Sequence, residues 1–398
     1  MIRAWVCSFF TLILFVGIIA SGAGTDTDLP QEPALTIFFT GNELGQLKPC
    51  GCSGGQLGGF DRRGAIFDRV PDDRRLIVDT GNLLEESDEQ GLIKFEILMQ
   101  AYDILGYDVL NLRQRDLNVA EDLGMLVPMQ QIFGLITSIS QEDVVIPESF
   151  SAEYQIDGRH FCVNVLSMDL SDGIDFELIE NAPAGPTGSE QINIVLLNSD
   201  DDPDENTIRQ LPASVDCAVL PPASDEPELV GRTRNGTLLI TVGRLGKHVG
   251  KLTLTSGADM ELDYESVDVT EDVPQDPVMV QLYRTYQQLL KDADLLEKYP
   301  KLPLPDGLEY AGNESCKKCH EYEYNKWSEK AHASAFDTLI EVGSDYDPEC
   351  VYCHVVGMNY ESGFVSPEKS PKDLRHVGCE SCHGPGSQHL GFILEEDA

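Results

Sequence analysis

Near its C-terminal end the sequence repeats one five-residue pattern three times: Cys316-Lys317-Lys318-Cys319-His320, Cys350-Val351-Tyr352-Cys353-His354 and Cys379-Glu380-Ser381-Cys382-His383. From this composition, roughly 0.006 such matches are expected by chance. Two thiols three residues apart can each add to one haem vinyl group, and the following histidine then meets the iron as an axial ligand. The pattern therefore predicts three c-type haems, attached through Cys316, Cys319, Cys350, Cys353, Cys379 and Cys382, with His320, His354 and His383 on the metal. Zinc-binding cysteine pairs and disulfides are the competing readings. Neither requires a histidine directly after the second cysteine, and here one follows in all three motifs.

Counting ligands extends the argument. Six of the eight histidines lie between residues 316 and 389. Removing the three motif histidines leaves His332, His376 and His389, one for each haem. Three bis-His irons would have no open coordination position, which favours electron transfer over small-molecule chemistry. Spacing does not say which histidine serves which haem. If one fails to ligate, an oxidoreductase with one open haem returns as an alternative.

The charge balance restricts partners. There are 68 acidic against 28 basic residues, a formal charge of -40. Nucleic acid and anionic membrane surfaces need clustered Lys and Arg and are excluded as partners. Redox partner proteins, basic ones in particular, are compatible. At the N-terminus, Arg3, the apolar run from Val6 to Ala20 and the small residues Ala20 to Ala23 read as a signal peptide over 1–23. An uncleaved anchor is the alternative. Either places the protein outside the cytoplasm, periplasmic or secreted, where haem is attached to such motifs.

Between residues 34 and 258 the pattern is of another kind. LTIFFT, RLIVDT, YDVLNL, INIVLLN, VDCAVL and TLLITV are short apolar runs bounded by Gly, Pro, Asp and Asn, as strands are. Leu92 to Leu105 carries apolar residues at helical spacing and stops at Gly106. Strands alternating with helices predict an α/β domain with a largely parallel or mixed sheet. The run HFCVNVLSMDL predicts one arm of an antiparallel hairpin. Residues 256–276, acidic and weakly patterned, read as a domain edge within a linker over 259–308, which also holds a helix from Val278 to Lys298. Residues 309–398 form the trihaem domain, small, mostly helical and loop-rich. Cys50-Gly51-Cys52 reads as a structural disulfide or a functional thiol pair; Cys162 and Cys217 read as core residues.

Two resemblances follow from these residues. YAGNESCKKCHEYEYNKWSEKAHASAFDTL, ECVYCHVVGM and VGCESCHGPGSQHL, over about Tyr310 to Leu390, resemble the multihaem cytochromes that include the tetrahaem cytochrome c of ammonia oxidisers. That resemblance implies closely packed haems with His332, His376 and His389 as distal ligands, although only three attachment motifs are present, not four. LTIFFTGNELGQL, LIVDTGNLL, YDVLNLRQRDLN and TLLITVGRLGKHVGKLTL resemble, in order and spacing, the calcineurin-like metallophosphoesterases, in particular the secreted nucleotidases. This implies a sandwich of mixed sheets with flanking helices and a site for two divalent metals. The ligand positions are altered: Asn42 and Leu44 stand where Asp and His are expected, Asn82 at the bridging position, and Gln114, Arg115 and Asp116 for Asn, His and Glu. The scaffold is thus expected to lack the metal pair that would activate water, and to serve docking or sensing. A redox-linked hydrolase is the alternative. Arg62, Arg63 and Arg115 are candidates for recognising an anion there.

Overall fold

The computed structural model describes residues 34–49, 55–140, 145–199, 204–256 and 260–396. The segment read as a signal peptide and the Cys50–Cys52 loop lie outside the described residues. No helix among the described residues is long and apolar enough to cross a membrane. Residues 33–398 form one compact unit.

Among the described residues, twelve strands make two six-stranded sheets. The first contains β1 (Leu35–Thr40), β2 (Arg75–Asp79), β3 (Val109–Asn111), β4 (Gly134–Ile136), β11 (His248–Ser256) and β12 (Met260–Asp268), in the order β12-β11-β1-β2-β3-β4. β1 to β4 run parallel, whereas β11 is antiparallel to β1 and β12 to β11. The second contains β5 (Ser149–Ile156), β6 (Arg159–Asp169), β7 (Glu190–Asn198), β8 (Cys217–Val219), β9 (Leu229–Arg232) and β10 (Leu238–Ile240), in the order β5-β6-β7-β8-β10-β9. β6, β7, β8 and β10 are mutually parallel, with antiparallel β5 and β9 at the edges. The expected hairpin is β5–β6. Its two-residue turn, Asp157-Gly158, has both residues at positive φ, which matches the right-handed twist of the strands.

The sheets face each other. Leu35, Ile37 and Phe39 of β1 join Ile192, Ile194 and Leu196 of β7 in one core, while Phe38 points the other way into a helical layer. Strands covered on both faces must be apolar throughout, which is why LTIFFT shows no alternation. The helical layer holds α1 (Phe60–Phe67), α2 (Glu89–Leu105), α3 (Gln114–Asp122) and α4 (Leu126–Ile132). Behind the second sheet lie two short helices, α5 (Phe176–Glu180) and α6 (Glu205–Ile208), over a smaller core around Leu166, Val195 and Leu211. Mixed sheets with flanking helices are thus as expected. Cys162 and Cys217 are buried in β6 and β8, as core residues.

Two expectations for the region after residue 256 are corrected. β12 occupies much of the supposed edge, pairing with β11 from His248↔Asp268 to Ser256↔Met260. Its acidic residues obscured an alternation that buries only Leu262 and Tyr264. The helix expected over 278–298 is two helices, α7 (Pro277–Asp292) and α8 (Leu295–Lys298), because Asp294 turns left-handed at φ 54 between them. α7 is no linker: Met279, Leu282, Tyr286 and Leu290 pack into the same core as α1 and α2.

The remainder is helical and loop-rich: α9 (Asn313–Lys317), α10 (Glu321–Ser328), α11 (Ala335–Val342), α12 (Pro348–His354), α13 (Cys379–His383) and α14 (Ser387–Glu396). Its own apolar core is small: Leu296, Phe336, Leu339, Val351, Val355, Met358 and Phe364.

Candidate haem sites and the α/β cavity

The first motif runs from the end of α9 through a turn into α10, the second is the end of α12, and the third is α13. A single helical turn places both thiols and the histidine on neighbouring positions of one surface. The first and third motifs are locked together. Asn313, at the start of α9, accepts from the Cys379 amide at the start of α13 (2.8 Å). In return the buried Glu380 carboxylate accepts from the amides of Ala311 (2.9 Å), Gly312 (2.8 Å) and Gly386 (2.7 Å). The start of α13 is therefore capped by a side chain from α9, and the backbone leading into α9 is held by one from α13. Cys316 and Cys379 meet across this contact, and burial first, then Cys379, pushes the Cys316 thiol up to about 11.

The ring centroids of His320 and His389 lie 6.3 Å apart, with the planes 33° from parallel. With metal–nitrogen bonds of about 2.0 Å, two imidazoles on opposite sides of one metal have centroids roughly 6 Å apart. Both side chains are exposed. Glu323 lies 4.0 Å from His320 Nδ1, on the side away from a metal bound at Nε2. His354 has its Nδ1 against the Ala335 carbonyl oxygen, which fixes the tautomer with the proton on Nδ1. His376, at φ 71, accepts from the Phe336 amide (3.2 Å), and partial burial lowers its pKa. The Val377 amide donates to the His332 carbonyl (3.1 Å), so the chain at His332 runs beside that at His376. Trp327 Nε1 also donates to the Val377 carbonyl (2.9 Å), holding α10 against the approach to the third motif. His332 and His383 are exposed.

The second motif is built onto the α/β part. Asp347 caps α12 by accepting from the Glu349 amide (3.1 Å), and it also accepts from Gln90 of α2 (3.0 Å) and Gln287 of α7 (3.1 Å). Lys94 of α2 pairs with Glu349 (2.5 Å). A cavity of about 430 Å³ lies beside Cys350, Cys353 and His354, walled by Leu47, Lys48 and Pro49 of the α/β part, Tyr283 and Tyr286 of α7, and Leu339 and Val342 of α11. Its apolar walls beside two thiols and an imidazole suit a flat, largely apolar macrocycle. No second histidine is among the residues that line it. Sequence reasoning missed Asn313, Glu380, Asp347 and Gln90, because caps between segments far apart in sequence leave no local pattern.

In the α/β part, a cavity of about 410 Å³ opens at the carboxyl ends of β1, β2, β3, β7 and β8, lined by Asn42, Leu44, Thr80, Asn82, Arg113, Asn198, Ser199 and Arg244 among others. Asp79 turns from it to accept from Thr40 (2.8 Å), Tyr102 (2.8 Å) and the Gly81 amide (2.8 Å), and burial raises its pKa. Asp116 accepts from the amides of Asn82, Leu83 and Arg113, and burial pushes it up to about 7. Among the described residues the lining holds no carboxylate, histidine or thiol, and those residues do not fit a pair of divalent metals. The arginines singled out in the sequence have structural roles instead. Arg63 is fully buried against Glu43 (2.5 Å), Arg62 donates to the Gly58 carbonyl (2.9 Å), and Arg115 donates to the carbonyls of Leu84 and Glu85. The candidate anion ligands are Arg113 and Arg244, which no motif marked.

Among solved structures, the chain is similar to a 5'-nucleotidase precursor from Thermus thermophilus (TM-score 0.49, 17% identity, covering 68% of this chain and 60% of that one). It is also similar to the sulfate thiohydrolase SoxB of Thermus thermophilus (TM-score 0.49, 11% identity, covering 69% and 63%). The two-sheet architecture described above stands on its own strand order. In sequence, cytochrome c-554 of Nitrosomonas europaea is 34% identical over 97 residues, which is 21% of this chain and 41% of that protein. The family described as cytochrome c554 and c-prime matches residues 315–384, and with that the C-terminal part of the chain is placed beside the cytochromes its motifs resemble.

Proposed function

We propose that this chain is an extracytoplasmic multihaem c-type cytochrome that carries electrons through three covalently attached haems, with its α/β part serving docking or sensing. The observation that carries the reading is the pair His320 and His389, whose ring centroids stand 6.3 Å apart, with His320 directly following Cys319. The family match over residues 315–384 supports it independently. Haem, once bound, supplies a one-electron iron centre. The chain's own residues do the rest. The six cysteines would anchor the macrocycles, and His320, His354 and His383, with His389 for the first site, would hold the iron. His332 and His376 are the distal ligands left for the other two. The small apolar core of this region also supports the reading, since a segment of this size needs covalent or metal staples to hold one fold.

A second reading rests on the cavity at the second motif. With no second imidazole in its lining, an open coordination face there would make the protein an oxidoreductase at that haem. Electron paramagnetic resonance of the oxidised holoprotein separates the two. Low-spin signals alone are expected for bis-His carriers. A stoichiometric high-spin component would instead support an open second site, and a chain exported with no bound haem would overturn both.

A further inference from the structure

Lys48 stands where the α/β part meets the second motif. It lies on the loop after β1, and backbone hydrogen bonds hold that loop on both sides of it. The Leu44 amide donates to the Asn82 carbonyl (3.1 Å), the Gly45 amide to the Leu83 carbonyl (2.7 Å), and the Phe60 amide to the Leu47 carbonyl (3.3 Å). Leu47 is buried in the core of the helical layer, and the Gln46 side chain donates to the Lys48 carbonyl. The Lys48 ammonium lies over the Tyr283 ring of α7, 5.2 Å from its centroid, a position that favours a cation. Lys94 of α2 reaches the same cavity beneath the loop. Gly45, at φ 76, makes room for it, since a Cβ there would lie 3.1 Å from Lys94 Cδ. In a chain with 28 basic against 68 acidic residues, both lysines line the cavity that holds Cys350, Cys353 and His354. Among the described residues, the two carboxylates of that lining are already engaged. Asp347 accepts from Gln90, Gln287 and the Glu349 amide, and burial raises its pKa. Glu349 pairs with Lys94, whose side chain is 8% exposed.

We propose that Lys48, with Lys94 behind it, receives the propionate end of the second haem, so that the α/β part sets this haem's reduction potential. This rests on the reading of the second motif as a haem site. Haem carries two carboxylates on one edge, away from the vinyl groups that Cys350 and Cys353 would hold. Those carboxylates need positive charge elsewhere in the cavity, and the walls at Leu47, Pro49, Leu339 and Val342 are apolar. The two ammonium groups supply it, as charge-assisted donors to carboxylate oxygens. A fixed positive charge beside the haem favours the reduced form, whose net charge is one unit more negative. Lys48 and Lys94 are positioning residues here: they touch the edge of the cofactor and leave the iron to His354.

Spectroelectrochemical titration of the full holoprotein tests it, with haem content and peptide masses measured on the same samples. Lys48→Met is expected to lower one haem midpoint and leave the others in place. Lys48→Arg, which keeps the charge, is expected to return that midpoint close to the parent value. Lys94→Met, which leaves the Glu349 carboxylate without its ion pair, is expected to lower the same midpoint and serves as an independent second variant. The control Lys251→Met, on β11 and outside the cavity lining, is expected to move none. A circular dichroism spectrum and haem content matching the parent identify folded variants. Haem on the 348–354 peptide with every midpoint unchanged in both methionine variants would overturn the proposal and leave the haem reading standing. A 348–354 peptide without haem mass would overturn that reading and the proposal with it. A change from low-spin to high-spin iron in Lys48→Met would make Lys48 an axial ligand and overturn the propionate assignment.

Discussion

Glu380 sits between the two cysteines of the third motif, yet its carboxylate serves the backbone ahead of the first, accepting from Ala311, Gly312 and Gly386. Leaving those buried amides unsatisfied costs about 1–3 kcal/mol for each group that water does not reach. Glu380→Ala is therefore expected to lower stability by about 3 kcal/mol, read by denaturant unfolding of the holoprotein, and to loosen the first and third motifs together. Arg63 and Glu43 form a second such case, both side chains fully buried beneath the Asn42–Leu44 rim. Burial pushes the Glu43 carboxyl up, while the opposing guanidinium draws it down. Arg63→Met alone strands a buried carboxylate and is expected to cost about 3–5 kcal/mol. Adding Glu43→Leu should restore much of that loss, whereas additive losses in the double variant would mean that the pair is not coupled. At the first haem site, His389→Ala is expected to convert one iron from low-spin to high-spin without changing haem content, as seen in optical and magnetic resonance spectra.

At the scale of elements, α2 shows what local sequence can and cannot tell. Its end at Gly106 was legible because a left-handed residue (φ 73) must close the helix there and glycine takes that conformation freely. Its start at Glu89, three residues before the apolar pattern begins, is set by the Asp88 cap on the Gly91 amide (2.8 Å). The strand β12 was missed because only Leu262 and Tyr264 face inward and the acidic residues between them read as an edge. The motif helices were legible because covalent chemistry fixes their spacing. Their mutual caps were not, because Asn313 and Cys379, or Gln90 and Asp347, lie far apart in sequence. In the α/β part, the altered residues at positions 42, 44 and 82 are read from the sequence directly. The rest of the cavity lining is not. The Asp347 cap yields an element-scale prediction: Asp347→Ala removes acceptors from Glu349, Gln90 and Gln287 at once. It is expected to cost about 2 kcal/mol, and limited proteolysis should then cut first near α12, while the sheets stay protected.

Across the whole molecule, the haem-bearing region and the sheets form one unit, and the cavity beside the second motif has walls from both. The loop from Asn42 to Pro49 lines the arginine cavity at one end and this second cavity at the other. With a formal charge of -40, a basic redox partner would be steered over about a Debye length, near 10 Å at 0.1 M salt. Stopped-flow reduction by a basic carrier is expected to slow steeply as ionic strength rises, and a rate insensitive to salt would rule out such steering. The central claim is that three motifs hold three haems. Intact mass of the protein purified from a host able to attach haem, combined with a haem-to-protein ratio from its reduced pyridine spectrum, tests it most directly. The account predicts the mass of the chain plus three haems and a ratio of three. A chain carrying no covalent haem, with its motif cysteines paired as disulfides or holding zinc, would contradict it.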